Sequence, residues 1–151
     1  MNKDVIVTLK GLEYQPDGSG VEEIETCQPG IYKFMQDKHI ITYGEPCDGN
    51  PGESVQNLLK ISEGTVSILK RGQIATNMVF REGYHYSGTY GIDYGAFSFP
   101  IDIVTSHLVI IENTDCMNIE ISYSLEIGNN YISRRTVCIN IRSAGVLPDT
   151  P

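Results

Sequence analysis

Four tyrosines between residues 84 and 94 are the side chains of this chain best suited to hold a small molecule. Tyr84, Tyr86 and Tyr90 share the parity of one strand face with Gly88, and Tyr94 follows them. If that face looks into an enclosed space, the rings supply apolar contact and the hydroxyls orient a ligand. The same residues also suit a packed core or an outer surface, and Gly88 fits either case. The cluster predicts a binding pocket, with plain packing as the alternative.

Arg135 is the second candidate, because it shares the parity of an apolar strand face with Val137, Ile139 and Ile141. An inward guanidinium must be paired, since a buried unpaired charge is strongly destabilising. Its planar fork suits a carboxylate of the protein, or the carboxylate or phosphate of a ligand. A bulge near Ser133 would instead turn Arg135 into water. We hypothesise that Arg135 and some of the tyrosines face one cavity, which binds a small acidic or amphipathic ligand without catalysis.

No familiar catalytic or metal-binding signature accompanies these residues. His39, His85 and His107 lie on separate segments without H-x-H or H-E-x-x-H spacing, so no metal site is expected. There is no Walker A loop, dinucleotide fingerprint or G-x-S-x-G motif. A Ser-His-Asp arrangement stays open only because such groups converge in space. We expect a protein that is not an enzyme and carries no cofactor.

One enzyme class has a comparable architecture. Triphosphate-tunnel enzymes are β-barrels with inward Glu-x-Glu carboxylates for metal and many inward Lys and Arg side chains for phosphate, and Glu23-Ile24-Glu25 offers the first feature. Lys and Arg total only 11, however, and Arg135 is nearly alone among them at inward parity. A metal-dependent phosphohydrolase is therefore a distant alternative.

Length and charge narrow the class of protein and its partners. A chain of 151 residues fits one domain. The net charge of −8 disfavours nucleic acid and anionic membrane surfaces, because both are bound mainly through Lys and Arg. The N-terminus has no apolar run of the ~7–15 residues found in signal peptides, and no segment reaches the ~18 apolar residues of a membrane-spanning helix. We expect a cytoplasmic protein.

The four cysteines are widely scattered, with no C-x-x-C pair that would indicate a zinc or redox site. We predict free thiols, with Cys27 and Cys138 in strands and Cys47 and Cys116 on loops. A disulfide between two of them is the less favoured alternative.

Alternation with period two runs through nearly the whole chain. The clearest segment is 117–127, where apolar residues and polar residues occupy opposite faces, as expected of a strand with one buried side. Shorter segments repeat the pattern at 5–9, 55–61, 74–80 and 137–141. No stretch has the apolar periodicity of a helix.

Turn residues separate these segments at short intervals. Residues 16–20 form a predicted hairpin loop, 44–52 the longest loop, and Gln28-Pro29-Gly30 a strand break or bulge. Tight reversals are predicted at 62–64, 71–72, 81–83 and 128–130. About ten short strands suit a closed barrel or a two-sheet sandwich, and consecutive hairpins favour the barrel, which also removes exposed edges. We predict an all-β, single antiparallel up-and-down barrel over residues 1–142, followed by a disordered tail at 143–151.

One set of short motifs runs along most of the chain in a fixed order: Arg71-Gly72, Met78-x-Phe80, Gly83, Gly88-x-Tyr90, Tyr94-Gly95, Thr105 and Leu108, followed by Tyr123-x-Leu125 and Tyr131-x-Ser133. In these residues the chain resembles the YwiB-like family of uncharacterised bacterial proteins. Two positions depart from the family pattern, which has Thr-Pro in place of Ile92-Asp93 and commonly asparagine in place of Arg135. The resemblance implies a calycin- or lipocalin-like β-barrel in a bacterial cytoplasm, with no agreed activity and no established catalytic residues.

Two functions therefore compete: binding of a small molecule in or at the mouth of the barrel, and protein interaction through an exposed barrel face. A cavity of at least ~300 Å³ would favour the first. A contiguous exposed apolar patch well above ~400 Å² would favour the second.

Overall fold

A computed structural model of the chain describes residues 3–14, 20–46, 54–92, 96–128 and 131–144, which form ten β-strands and no helix. The strands are β1 Lys3–Tyr14, β2 Val21–Met35, β3 Lys38–Pro46, β4 Ser54–Ser62, β5 Thr65–Arg71, β6 Ile74–Arg81, β7 His85–Ile92, β8 Phe97–Glu112, β9 Cys116–Ile127 and β10 Tyr131–Ser143. β-branched and aromatic residues are frequent in them, as a pleated, half-buried surface favours.

The strands close into one antiparallel barrel. Each strand pairs with the next along the chain, and β1 pairs with β10 through the register Val7↔Ile141 and Leu9↔Ile139. The order contains none of the long crossovers that a Greek-key sandwich requires. The predicted up-and-down barrel of about ten strands is therefore confirmed.

The core lies at the middle of the barrel, where the inward residues of opposite strands meet. Ile41, Leu59, Val66, Ile103 and Ile121 have no measurable exposure and come from five different strands. The predicted alternation of 117–127 is present, with inward residues buried and outward residues such as Glu120 exposed. Each such aliphatic side chain contributes about 1.5–3 kcal/mol by leaving water.

The two ends of the barrel differ. At the end we call the turn end, β2–β3, β4–β5, β6–β7 and β8–β9 are joined by tight turns, in which Gly64 (φ 67°) and Gly83 (φ 78°) adopt the left-handed conformation that glycine favours. The opposite end, the loop end, carries the connections after β1, β3, β5, β7 and β9. Residues 15–19, 47–53, 93–95 and 129–130 of these connections lie outside the described residues.

At the turn end, a polar contact crosses the barrel. Tyr32 on β2 shares a 2.7 Å hydrogen bond with His39 Nδ1 on β3, and His39 Nε2 lies 3.5 Å from Glu112 Oε1 at the end of β8. β3 and β8 are five positions apart in the ring of ten strands, so this contact joins opposite walls.

Two ladders stop before their strands end. β6 pairs with β7 only through Ile74–Thr76, after which the Thr76 hydroxyl donates to Thr89 O at 2.7 Å. The β6–β7 turn bonds instead to β8, where Gly83 N donates to Thr105 O at 2.8 Å. The β2–β3 ladder ends at Gly30, so the first half of β2 pairs only with β1 among the described residues.

Three local predictions need correction. β2 runs without a break or bulge through Pro29, which pairs with Ile6 of β1; the proline is tolerated because the β3 ladder has already ended at that position. Cys116 begins β9 and does not lie on a loop, whereas Cys27 and Cys138 are in strands as predicted, and all three are free thiols. The tail predicted from residue 143 begins too early, because Ser143 is the last residue of β10 and is buried. Cys47 and residues 145–151 lie outside the described residues.

Candidate functional site

A cavity of about 370 Å³ lies inside the barrel toward the loop end. Its wall is mainly apolar and aromatic, and a small number of charged side chains reach it from both sides of the barrel. The lining residues are Leu9, Gly11, Leu12, Glu13, Glu22, Ile24, Tyr43, Glu45, Ile68, Lys70, Met78, Phe80, Tyr90, Tyr123, Leu125, Arg135, Thr136 and Val137. Strand alternation places most of them, since they continue the inward faces that form the core below.

Three tyrosines and Phe80 supply the aromatic part of the wall. Tyr43 and Tyr123 are 5% and 9% exposed, and the Tyr123 ring packs at 4.8 Å and 59° against Phe80. Burial raises the pKa of Tyr43, Tyr90 and Tyr123. Their hydroxyls therefore stay protonated at neutral pH and keep both a donor and an acceptor for a bound molecule.

On one side of the cavity Arg135 points inward and is paired. Its Nη2 lies 3.5 Å from Glu13 Oε2 of the neighbouring β1, and its Nε donates to Ser133 Oγ at 3.2 Å. Ser133 is buried at the same inward parity, so the bulge considered for this strand is absent. The positive charge of Arg135 opposes the burial-driven rise in the pKa of Tyr90 and Tyr123.

On the other side, three strands contribute a polar triad. Lys70 Nζ donates to Glu45 Oε1 at 2.7 Å and to Asn57 Oδ1 at 2.9 Å, and Asn57 Nδ2 donates to Glu45 Oε1 at 2.8 Å. Asn57 is 2% exposed. A buried polar group of this kind is stable only when it is hydrogen-bonded, and the triad satisfies both ends of the amide.

Both cations on the cavity wall are paired with carboxylates. Arg135 pairs with Glu13 and Lys70 with Glu45, and Glu22 adds a further carboxylate. A simple anion would have to displace a carboxylate from its cation, whereas a molecule with both donors and acceptors can bind to each pair from the side. The wall is therefore better suited to a polar group of mixed character beside an apolar body.

The structure separates the residues predicted for the pocket. Tyr90 and Arg135 both line the cavity. Tyr86 faces the interior and packs against the core, but its ring lies over Gly88 and not on the cavity wall. Tyr84 precedes β7 at the turn end and is 45% exposed, so it does not reach the cavity. Tyr94 lies outside the described residues.

Sequence reasoning did not single out Tyr43, Glu45, Asn57, Lys70 or Glu13 as site residues. A signal was present, because each has the parity of its strand's buried residues, as Asn57 does between Val55 and Leu59. Parity alone does not tell which inward residues border empty space, since that depends on how far opposite walls stand apart.

In the described part of the chain, the residues considered for a triphosphate-tunnel site and for a Ser-His-Asp triad do not form such a site. Glu23 and Glu25 lie on the outer face of β2, where Glu23 pairs with Lys10 at 3.3 Å. On the outer face of β7 and β8, the Ser87 hydroxyl and the His85 ring both bond Asp102 Oδ1, at 2.6 and 2.9 Å. These hydrogen bonds, that from Ser87 most of all, lower the pKa of Asp102. Ser87 thus donates to the carboxylate and is not activated by the histidine.

Metal clusters and membrane-spanning helices are both absent from the described residues. No three His, Cys, Asp or Glu side chains come together there in a group that could hold a metal ion. No helix in the same part of the chain is long and apolar enough to cross a membrane.

Comparisons with known proteins agree on the fold. Residues 7–139 match the family described as Domain of unknown function (DUF1934). The chain is 26% identical over 131 residues to the Uncharacterized beta-barrel protein YwiB of Bacillus subtilis (strain 168), covering 85% of this chain and 87% of that protein. The crystal structure of the ywiB protein from Bacillus subtilis superposes with a TM-score of 0.81 at 22% identity, over 95% of this chain and 93% of the other.

Proposed function

From the premise that this chain belongs to the DUF1934 family of β-barrel proteins, we propose that it binds a small amphipathic molecule in the loop-end cavity and does not act as an enzyme. The observation that carries the proposal is the cavity itself. Its volume of about 370 Å³ falls within the range of small-molecule sites, and its apolar wall carries a few convergent polar groups.

The apolar body of the ligand would lie against the middle of the wall. Ile68, Met78, Phe80 and Leu125 come from three strands and surround this part of the cavity. Burying an apolar group there removes area from water at about 25 cal/mol per Å². Rigid strands hold all four side chains, so little conformational entropy is lost when a ligand binds.

The polar end of the ligand would contact the paired charges and the tyrosine hydroxyls. Arg135 is 33% exposed and Glu13 27% exposed, so both can be reached without breaking the pair. Tyr90 lines the same cavity as Arg135 and Glu45. An amide, alcohol or zwitterionic head group fits this surface better than a bare carboxylate or phosphate.

The proposal is tested by filling the cavity. The native chain contains no tryptophan. Leu9→Trp places a large ring on the cavity wall. Val104→Trp is the control, because Val104 lies on the outer face of β8 and is 45% exposed. With Nile red as the probe, we expect the native protein and Val104→Trp to bind equally. Leu9→Trp should bind at least about tenfold more weakly, or ~1.4 kcal/mol. Equal binding by all three proteins, or no binding by the native protein, would overturn the proposal.

Native mass spectrometry provides the complementary test. Protein purified without a denaturing step should carry a small molecule that Leu9→Trp lacks and Val104→Trp retains. A released compound that is a simple inorganic anion would contradict the amphipathic class proposed here.

The alternative of a metal-dependent phosphohydrolase is less well supported. Glu23 and Glu25 lie on the outer face of the barrel, and the two cations of the cavity wall, Lys70 and Arg135, are each paired with a carboxylate. Phosphate release from triphosphate in the presence of Mg²⁺ or Mn²⁺ would nevertheless revive it.

A further inference from the structure

The second half of β8 has an edge that no described residue pairs with. β7 pairs with β8 up to Val104, and the β6–β7 turn bonds Thr105. From Leu108 to Glu112 the register partners of β8 are all on β9. Such an edge presents a row of main-chain donors and acceptors that another strand can use.

The hairpin turn determines which main-chain groups point to that edge. Asn113 N donates to Cys116 O, so Asn113 faces β9 and every second residue before it does the same. The main-chain groups of Leu108, Ile110 and Glu112 therefore point away from β9. The hydrogen bond of Leu108 N is consistent with this direction, because it donates at 3.4 Å to the Glu82 side chain, which lies on the side away from β9.

Burial along β8 decreases in the part that, among the described residues, only β9 flanks. Ile101 and Ile103, in the part flanked by two strands, are at most 1% exposed. Leu108 and Ile110 face the same interior but are only half-buried. On the outer face of the edge, Ile111 is 54% exposed.

A second open edge in the same molecule is protected, and the contrast is informative. The first half of β2 pairs only with β1 among the described residues, and it carries Glu22, Glu23, Glu25 and Pro29. Charged side chains and proline are the usual means of blocking an exposed edge. The segment 108–111 of β8 has neither, since it reads Leu-Val-Ile-Ile.

We propose that this β8 edge pairs with the same edge of a second copy of the chain, forming an antiparallel dimer with its two-fold axis at Ile110. In that register Ile110 of one chain lies opposite Ile110 of the other, and the two residues exchange main-chain hydrogen bonds. Val109 faces Ile111 of the second copy on the outer face, where cross-strand side chains approach most closely. Leu108 lies opposite Glu112 of the second copy. In the dimer the Leu108 N–H donates to the main-chain carbonyl of that Glu112 and no longer to the Glu82 carboxylate.

The residues along the β8 edge favour a second copy of the chain as the pairing partner. Antiparallel pairing about Ile110 sets apolar residues opposite apolar residues at the central three positions, Val109 to Ile111. The contact is short, which places it at the weak, concentration-dependent end of protein interfaces. Since each chain carries a net charge of −8, repulsion between copies weakens the dimer at low salt.

Sedimentation equilibrium over a range of protein concentrations tests the proposal. The native protein should move toward twice the monomer mass as its concentration rises, and more readily as salt is raised from ~0.1 M to ~1 M, where charges are screened within ~3 Å. Ile111→Lys puts a charge opposite Val109 and should raise the dissociation constant at least about tenfold. Ile31→Lys is the control, because Ile31 is a similarly exposed outward residue (48%) on β2.

Hydrogen exchange locates the contact. The amides of Ile110 and Glu112 should exchange quickly in dilute protein and become protected in concentrated protein, but not in Ile111→Lys. The proposal would be overturned if the native protein remained monomeric up to ~1 mM, since a dissociation constant of that size corresponds to only about 4 kcal/mol of association free energy. Association that Ile111→Lys leaves intact, or that Ile31→Lys weakens equally, would overturn it as well.

Discussion

At the scale of single residues, hydrogen-bond satisfaction separates two buried threonines on neighbouring parts of the barrel. Thr76 donates its hydroxyl to Thr89 O at 2.7 Å, at the point where the β6–β7 ladder stops. Thr105 is 1% exposed, and its Oγ1 has no partner within hydrogen-bonding distance in the described structure. A buried hydroxyl without a partner costs about 1–3 kcal/mol of desolvation.

Valine is close in shape to threonine and removes only the hydroxyl. Thr105→Val should therefore raise the free energy of unfolding by about 1 kcal/mol, and Thr76→Val should lower it by about the same amount. Urea unfolding followed by circular dichroism measures both changes. A loss of stability in Thr105→Val would show that its hydroxyl is bonded in solution.

At the scale of strands, close packing of β2 against β3 depends on a glycine. A Cβ at Gly30 would lie 2.9 Å from the main-chain oxygen of Thr42 and 3.3 Å from Val7 Cγ2. The oxygen belongs to the adjacent strand and cannot move without moving the ladder. A Cβ at Gly11 on β1 meets nothing nearer than 3.8 Å.

Gly30→Ala should consequently destabilise the barrel by about 1–3 kcal/mol through overpacking. Gly11→Ala is the matched control, and it should be neutral or stabilise by up to about 1 kcal/mol, because alanine restricts the unfolded chain. Thermal unfolding of the two variants compares them directly. Similar losses in both would mean that the contact with Thr42 does not set the cost.

At the scale of the whole molecule, the buried tyrosines couple ionisation to unfolding. Burial raises the pKa of Tyr43, Tyr90 and Tyr123 above the ordinary value near 10. A group whose folded pKa lies above its unfolded pKa adds stability that is complete below the unfolded value and is lost as pH rises through the folded one. The barrel should therefore lose stability progressively above about pH 10.

Absorbance near 295 nm follows tyrosinate directly, since the chain has nine tyrosines and no tryptophan. We expect an early phase from the exposed rings and a late phase that coincides with loss of the β-sheet circular dichroism signal. Tyr43→Phe should shrink the late phase and leave the early one unchanged. Titration of all rings in a single phase near pH 10, with the sheet intact, would contradict the buried cluster.

The sequence determined the class and the closure of this fold. Period-two alternation depends only on which residues follow one another, and it is enough to mark both faces of segments such as 117–127. The tight turn at 62–64 then makes β4 and β5 antiparallel neighbours, which pair from Ser62↔Thr65 to Gln56↔Arg71. The same parity also placed Arg135 inside.

Only the tertiary structure decided what the interior of the barrel contains and where its wall is open. Tyr84 and Tyr90 share a sequence pattern, yet they lie at opposite ends of the barrel, because the strand that carries Tyr90 begins after Tyr84. Glu13 meets Arg135 because β1 and β10 close the ring, a contact between residues at opposite ends of the chain. Cavities, cross-barrel pairs and free edges all depend on the stagger of strands around the ring, which the alternation of any one strand does not encode.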